Sequence, residues 1–313
     1  MDVLAGLLEG PRARGAFMIR ACFEPPWAVR IADEAPVSVM IMVHGEAWIT
    51  PEGAGGEEPR PVRPGDVAVA RGPGHYLVAG DQKTEPFAEI GPGQSCTPLN
   101  GAPEGHYAGL GMRAWGQPGG PVQMLIGTYQ MRGEITGRLL DALPPLLVLP
   151  TDVWDCPLTP FLAEEFSKDE PGQEVVLDRL LDLLLIAALR AWFSRPEAAA
   201  PAWYRAMGDP VVGPVIRLLQ DDPAHPWTVA SLAAKAGVSR AALARRFTEL
   251  VGEPPMTYLT GWRLALAADL LRDSELTIAS IARKVGYGSA FALSGAFKRV
   301  YGVSPQDHRT GPS

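Results

Sequence analysis

Thiols, imidazoles and two arginine- and lysine-bearing helices are where this 313-residue sequence could do chemistry; it holds three cysteines and five histidines. Cys22 and Cys96 flank a block of short β-like runs that contains His75. Thiolate and imidazole ligate Zn or Ni, and a pair of thiols is equally the material of an oxidant sensor. Three readings stand for Cys22 and Cys96: metal ligation with His75 joining them, redox sensing, or packing as two small apolar side chains. His44 and Glu46, two residues apart, are expected on one strand face and form a weaker candidate set. Cys156, within Trp-Asp-Cys-Pro, reads as structural. Three scattered cysteines are too few for a disulfide scaffold.

The second chemical signal is a repeat. Thr228–Gly237 (TVASLAAKAG) and Thr277–Gly286 (TIASIARKVG) lie 49 residues apart and agree at six of ten positions. Each copy predicts helix, glycine turn, helix. Thr228 and Thr277 are suited to cap the first helix, and Ser239 and Ser289 the second. Leu232, Ala233, Ile281 and Ala282 should face inward, and Gly237 and Gly286 permit a turn with positive φ. A helix-turn-helix built this way places its second helix in a DNA major groove. An ordinary helical hairpin has the same outline, but two copies at a fixed offset favour DNA.

Charge supports that choice. The whole chain is acidic, at −7, which by itself argues against nucleic acid. Residues 208–313 nevertheless carry twelve basic against nine acidic side chains, while residues 1–207 carry sixteen against twenty-six. Such asymmetry between halves points to nucleic-acid contact at the basic end. Hydrophobic residues make up 47%, enough for real cores, and the length accommodates about two domains. The most apolar run, Val175–Phe193, carries Asp178, Arg179, Asp182 and Arg190, so a membrane span is not expected. No basic-then-apolar leader is read at the N-terminus, and the expected location is cytoplasmic.

These elements arrange into an α+β multidomain chain. Strands are predicted at 15–23, 27–31, 37–43, 46–50, 66–70, 76–79 and 87–90, followed by a Gly/Pro-rich loop over 91–120 and a returning strand over 122–131. Helices are predicted at 133–143, 158–168 and 175–193, the last apolar around most of its circumference and so buried or interfacial. The expected boundaries are a β-rich sensor domain over 1–131, a helical extension over 132–194, a linker over 195–208, and a DNA-binding domain over 209–313 with helix-turn-helix units at 228–250 and 277–300.

Residues 209–313 resemble the DNA-binding domain of AraC/XylS-type transcriptional regulators. The resemblance is carried by Ile281, Gly286-Tyr287, Phe297-Lys298-Arg299, Gly302-Val303-Ser304-Pro305 and Arg309. It implies an all-α double helix-turn-helix joined by one long helix, here 255–271, with each unit reading one of two successive major grooves. It implies double-stranded DNA and RNA polymerase as partners, and either a monomer or a homodimer. By position, Ser239, Arg240, Ala241, Ala244, Arg245 and Thr248 are the first helix's DNA-facing residues. Arg245 is suited to bond guanine O6 and N7 together. Ser289, Ser294, Lys298 and Arg299 are those of the second. There Gly295 replaces the usual long polar residue and His308 the usual tyrosine, while Ala290 and Ala292 add no hydrogen bonds. The second unit is therefore expected to discriminate less. The run from Arg63-Pro-Gly-Asp66 to His75 resembles a cupin turn, which implies a cupin-like β-barrel sensor with an effector pocket. No cofactor is expected for DNA binding; Zn or Ni is the candidate in the sensor. The rival reading is a metal-dependent cupin enzyme, such as a dioxygenase, with an accessory helical domain.

Overall fold

The computed structural model describes residues 17–53, 58–101, 114–117, 119–129, 133–168, 170–196, 198 and 200–310. The chain divides into two compact units. One comprises 13–131 and 143–198. Its strands are β1 (Phe17–Phe23), β2 (Ala28–Ile31), β3 (Val37–His44), β4 (Ala47–Glu52), β5 (Arg60–Val62) and β6 (Val67–Arg71), then β7 (His75–Ala79), β8 (Ala88–Gly91), β9 (Ser95–Pro98), β10 (Ala114–Gly116), β11 (Val122–Tyr129) and β12 (Leu146–Leu149). They form two six-stranded sheets, in the orders β10-β1-β11-β3-β6-β12 and β5-β4-β7-β2-β8-β9. The expected barrel is thus two separate sheets rather than one closed ladder. Sequence reading missed β5, β9, β10 and β12, each only three or four residues long. The described parts of the expected 91–120 loop hold β9, β10 and a 3₁₀ turn at Pro92–Gln94.

β3 is buried along six consecutive residues, Val37–Met42. Met40 and Met42 join the core shared with Val29, Val78 and Met124. Two helices complete the unit, α2 (Leu158–Phe166) and α3 (Gln173–Phe193); α3 buries Leu177, Leu181, Leu184 and Leu189. A Cβ at Gly127 of β11 would collide with Leu181, so the glycine is what lets this helix lie close on the sheet.

The other unit comprises 199–313 together with 132–142. Its helices are α1 (Glu134–Leu140), α4 (Ala202–Ala206), α5 (Val212–Asp221), α6 (Val229–Lys235), α7 (Arg240–Val251), α8 (Pro255–Asp273), α9 (Ile278–Lys284), α10 (Ala290–Tyr301) and α11 (Pro305–Thr310). Both helix-turn-helix units form where the repeat places them. Thr228 caps α6 with a full capping box, and Thr277 caps α9 through the Ser280 amide. Ser239 and Ser289 accept from the amides of Ala242 and Ala292 at the heads of α7 and α10. Phe247 and Phe297, at matching positions, are both wholly buried. α4 occupies part of the expected linker.

Residues 132–142 cluster with this second unit rather than with the rest of the helical extension. Ile135 packs against Trp262 and Ala265 of α8. Asp269 of α8 accepts from the amides of Glu134 (2.6 Å) and Ile135 (3.4 Å), filling two of the donors that α1's first turn leaves open. Burial pushes this carboxyl up to about 6, against the two amides and the nearby Arg272, with Glu134 adding repulsion.

Two outcomes follow from these contacts. Gly237 (φ +67) and Gly286 (φ +87) are both left-handed, but a Cβ meets nothing at the first, while at the second it meets Pro223 O at 2.8 Å and Ala224 Cα at 2.9 Å. Gly237→Ala should cost about 1 kcal/mol and Gly286→Ala about 2–4 kcal/mol in denaturant unfolding; equal costs would contradict the crowding. For Asp269 the folded pKa is raised, so its stabilising contribution is complete below about pH 4 and lost as pH rises through about 6. Asp269→Asn should therefore gain about 2–3 kcal/mol relative to wild type between pH 4 and pH 7, measured by paired unfolding curves.

Candidate nucleic-acid interface and effector pocket

On α7, the N-cap Ser239 and Arg240, Ala241, Arg245 and Thr248 are exposed, and Ala244 is half-buried. Leu243 and Phe247 lie on the opposite, core-facing side. Arg245 is loosely paired with Glu249 at 3.8 Å, with 77% of its side chain exposed, so it can swing to an outside acceptor at little cost. Its neighbour is used differently. Arg246 grips Asp209 with Nη2 at 2.6 Å and Nε at 3.1 Å from both oxygens. Asp209 also accepts from the amides of Val211 and Val212 at the head of α5. The Arg246 guanidinium holds this carboxyl down to about 2. One carboxylate thus caps α5 and fixes the rotation of α7, which leaves Arg245 turned outward. Sequence reading missed Asp209, although Asp-Pro ahead of an apolar helix was the available signal.

Two further arginines serve the scaffold. Arg263 donates to Pro223 O (2.6 Å) and His225 O (2.9 Å), holding the loop ahead of α6. Arg309 donates to Leu271 O (3.3 Å) at the end of α8 and to Leu276 O (2.6 Å) in the segment that follows, pinning the turn between α8 and α9. On α10, Ser289, Lys298 and Arg299 are exposed and Ser294 is half-buried. Phe291, which sequence reading passed over, is 89% exposed. Arg283 and Lys284 at the end of α9 are exposed beside it in sequence order.

The β unit holds a partly open cavity of about 250 Å³. Its walls are mainly apolar, with Phe23, Met40 and Trp115 prominent, and its polar groups are Asp33, Tyr76, Gln94, Cys96 and Thr128. Phe23 stacks on Trp27 at 3.9 Å and meets Trp115 edge-on at 5.7 Å, which stiffens one wall. Gln94 donates to Asp33 at 3.2 Å. Ala21 and Phe23 of β1 line the cavity, so strand alternation turns Cys22 between them to the opposite side. Cys22 is buried and Cys96 exposed, both unbonded, and burial pushes both thiols up.

The structure does not gather Cys22, Cys96 and His75: among the described residues no three His, Cys, Asp or Glu side chains form a metal-holding group. His75 is half-buried on β7, opposite Glu52. His44 and Glu46 do not share a strand face, because β3 ends at His44 and Gly45 turns with φ +77; Glu46 instead lies 3.9 Å from Arg63. Asp66 of the cupin-like turn is structural, accepting from the amides of Arg63 and Thr151 and from the Thr151 hydroxyl. Among the described residues, no helix is long and apolar enough to cross a membrane.

Family models match the two halves of the chain separately. A cupin family model matches residues 2–194 and a helix-turn-helix domain model matches 232–311. A protein of Streptomyces lividans described as an AraC-like transcription regulator is 33% identical over 317 residues, covering 100% of this chain and 99% of its own. The HTH-type transcriptional regulator MtrA of Neisseria gonorrhoeae is 27% identical over 316 residues, covering 99% and 98%. Among solved structures, the DNA-binding domain of AdpA in complex with a target DNA is 33% identical and covers 33% of this chain and 92% of that one, at a TM-score of 0.32.

The two adjacent arginines should separate cleanly. Arg245→Ala should weaken binding to a selected duplex by about 1–3 kcal/mol and relax one base position, with unfolding unchanged. Arg246→Ala should leave base preference intact and lower stability in denaturant unfolding, as should Asp209→Ala, and the double variant should cost little more than either. The reverse pattern would exchange their roles.

Proposed function

The chain belongs to the AraC-type transcription regulators, a cupin domain preceding a helix-turn-helix DNA-binding domain, and we propose that it couples a small, largely apolar effector to the reading of a two-part DNA site. The observation that carries the DNA half is the duplicated helix pair. α7 and α10 have the same serine cap, the same buried leucine and phenylalanine, and an exposed face that bears basic side chains. In this reading α7 discriminates bases through Arg240 and Arg245, with Thr248 and Ser239 completing its polar edge. α10 positions through Lys298 and Arg299 on phosphate. Because one protomer carries both helices, a monomer suffices to occupy two grooves. The work would be done at cytoplasmic DNA, with RNA polymerase as the protein partner.

The effector half rests on the cavity. Its apolar walls would exclude a free ion, and the polar group that defines it is a carboxylate, Asp33, with Gln94 and Thr128 nearby. Such a lining suits a ring-sized molecule that donates one hydrogen bond, such as a phenol or an amine, better than one that presents its own carboxylate. Regulation is preferred to cupin enzymology because relatives matched over nearly their full length are described as transcription regulators.

One experiment addresses both halves. Full-length protein is used to select duplexes from a random library, and binding to the winner is measured across salt and with phenol, benzylamine or benzoate added. The expected winner has two half-sites about 10–10.5 base pairs apart, with a log–log salt slope of about −0.9 per phosphate contacted. Phenol or benzylamine should shift its affinity, benzoate should not, and Ala21→Phe, which fills the cavity, should abolish the shift without weakening the effector-free complex. Failure to enrich any sequence would overturn the DNA half; an unchanged response in Ala21→Phe would overturn the effector half.

A further inference from the structure

The first two turns of the second recognition helix carry little hydrogen-bonding reach, yet they display Phe291, the most exposed large apolar side chain among the described residues, at 89%. The repeat fixes what that position is. Ser239 and Ser289 cap the two helices, and counting from them sets Phe291 against Ala241, Gly295 against Arg245 and Lys298 against Thr248. Phe291, Gly295 and Lys298, at i, i+4 and i+7, lie on one stripe of α10, opposite the buried Leu293 and Phe297. It is the stripe that α7 uses for Arg245. The ring therefore faces wherever the groove would be.

Gly295 supplies an independent observation. A glycine in a helix interior costs roughly 1 kcal/mol against alanine. Here the chain's own packing gives no reason for it, since a Cβ would meet nothing within 4 Å. A bare backbone one turn after an exposed ring, between that ring and a lysine, is what close approach of another body requires. Basic side chains accompany the stripe: Arg283 and Lys284 close α9 ahead of it in the chain, Lys298 ends it, and Arg299 follows. That setting suits a phosphate-walled groove and is unfavourable to a greasy protein partner.

We propose that Phe291 is a specificity-determining residue that reads thymine through its 5-methyl group in the major groove, with Gly295 opening the room for α10 to come close enough. Apolar contact with the thymine methyl is an established mode of direct readout, and it needs no hydrogen-bonding group on the protein. The second helix is thus a reader of methyl groups rather than of donors and acceptors, and its half-site should be rich in A·T pairs with thymine at one or two fixed places. The proposal rests on the DNA-binding reading above.

The test uses full-length protein and the duplex recovered by selection. Each thymine of the second half-site is replaced singly by deoxyuridine, which removes only the methyl. Wild type should lose about three- to fivefold in affinity at one or two positions, the worth of one buried carbon. Phe291→Ala should lose nothing further at those positions and should keep the discrimination that Arg245 provides in the first half-site; Phe291→Leu should fall between. If no thymine methyl matters, or if Phe291→Ala suffers the same losses as wild type, the proposal is overturned while first-half discrimination stands. If Phe291→Ala changes only the oligomeric state measured by light scattering, the ring serves a protein contact and the proposal is likewise overturned. If Arg245→Ala also leaves every preference unchanged, the DNA-reading assignment itself has failed.

Discussion

One helix holds the DNA-binding unit together, and nearly everything else in that unit is placed by it. α8 runs unbroken for 19 residues, about 28 Å. Its first turns contribute Tyr258 and Leu259 to the core of the first helix-turn-helix. Its last turns contribute Leu264, Ala267, Ala268 and Leu271 to the core of the second. The two recognition helices are therefore related by a rigid rod rather than by a tether, and the separation of the two reading heads follows from its length. Small residues, Ala265, Ala267 and Ala268, all wholly buried, let three layers close on it at once. A larger side chain at any of them would push one head away from the other.

The charge arithmetic takes on a different meaning once each basic group is located. Arg246 is spent on Asp209, Arg263 on the loop carbonyls before α6, and Arg309 on carbonyls at the end of α8 and in the segment after it. Arg272 lies between Asp269 and Glu134. What remains outward includes Arg240, Arg245, Arg283, Lys284, Lys298 and Arg299, all on or beside the two recognition helices. A modest net positive charge, spread evenly, would make a poor polyanion binder. Tying several arginines to internal acceptors concentrates the rest on one kind of surface, where counterion release is available.

The helix-turn-helix pair was legible because its determinants are local. Caps at Thr228, Thr277, Ser239 and Ser289, positive-φ glycines at 237 and 286, and a shared apolar register all act within a dozen residues. The β unit was legible as strands but not as a site. Which of Cys22 and Cys96 faces the cavity depends on β1 pairing with both β10 and β11, contacts made across roughly a hundred residues. His44 and Glu46 failed to share a face because one glycine turns the chain between them. Phe291 carries no outward signal of its own in the sequence, since an aromatic in an amphipathic helix is ordinarily core; the register against Ala241 marks it as facing out.

The placement of α1 bears on how such a protein can be cut and recombined. The seam suggested by composition lies near residue 208, but the DNA-binding unit also owns residues 132–142, supplied from the middle of the other half of the chain. A fragment beginning at 209 would leave Trp262 and Ala265 without Ile135, and Asp269 without the amides it accepts from. The two halves are not interchangeable cassettes. A chimaera that grafted this reading head onto a foreign sensor would inherit an uncovered apolar spot and a stranded carboxylate, unless the donor segment travelled with it. Packing alone therefore ties the reading head to a segment encoded within the other half of the chain.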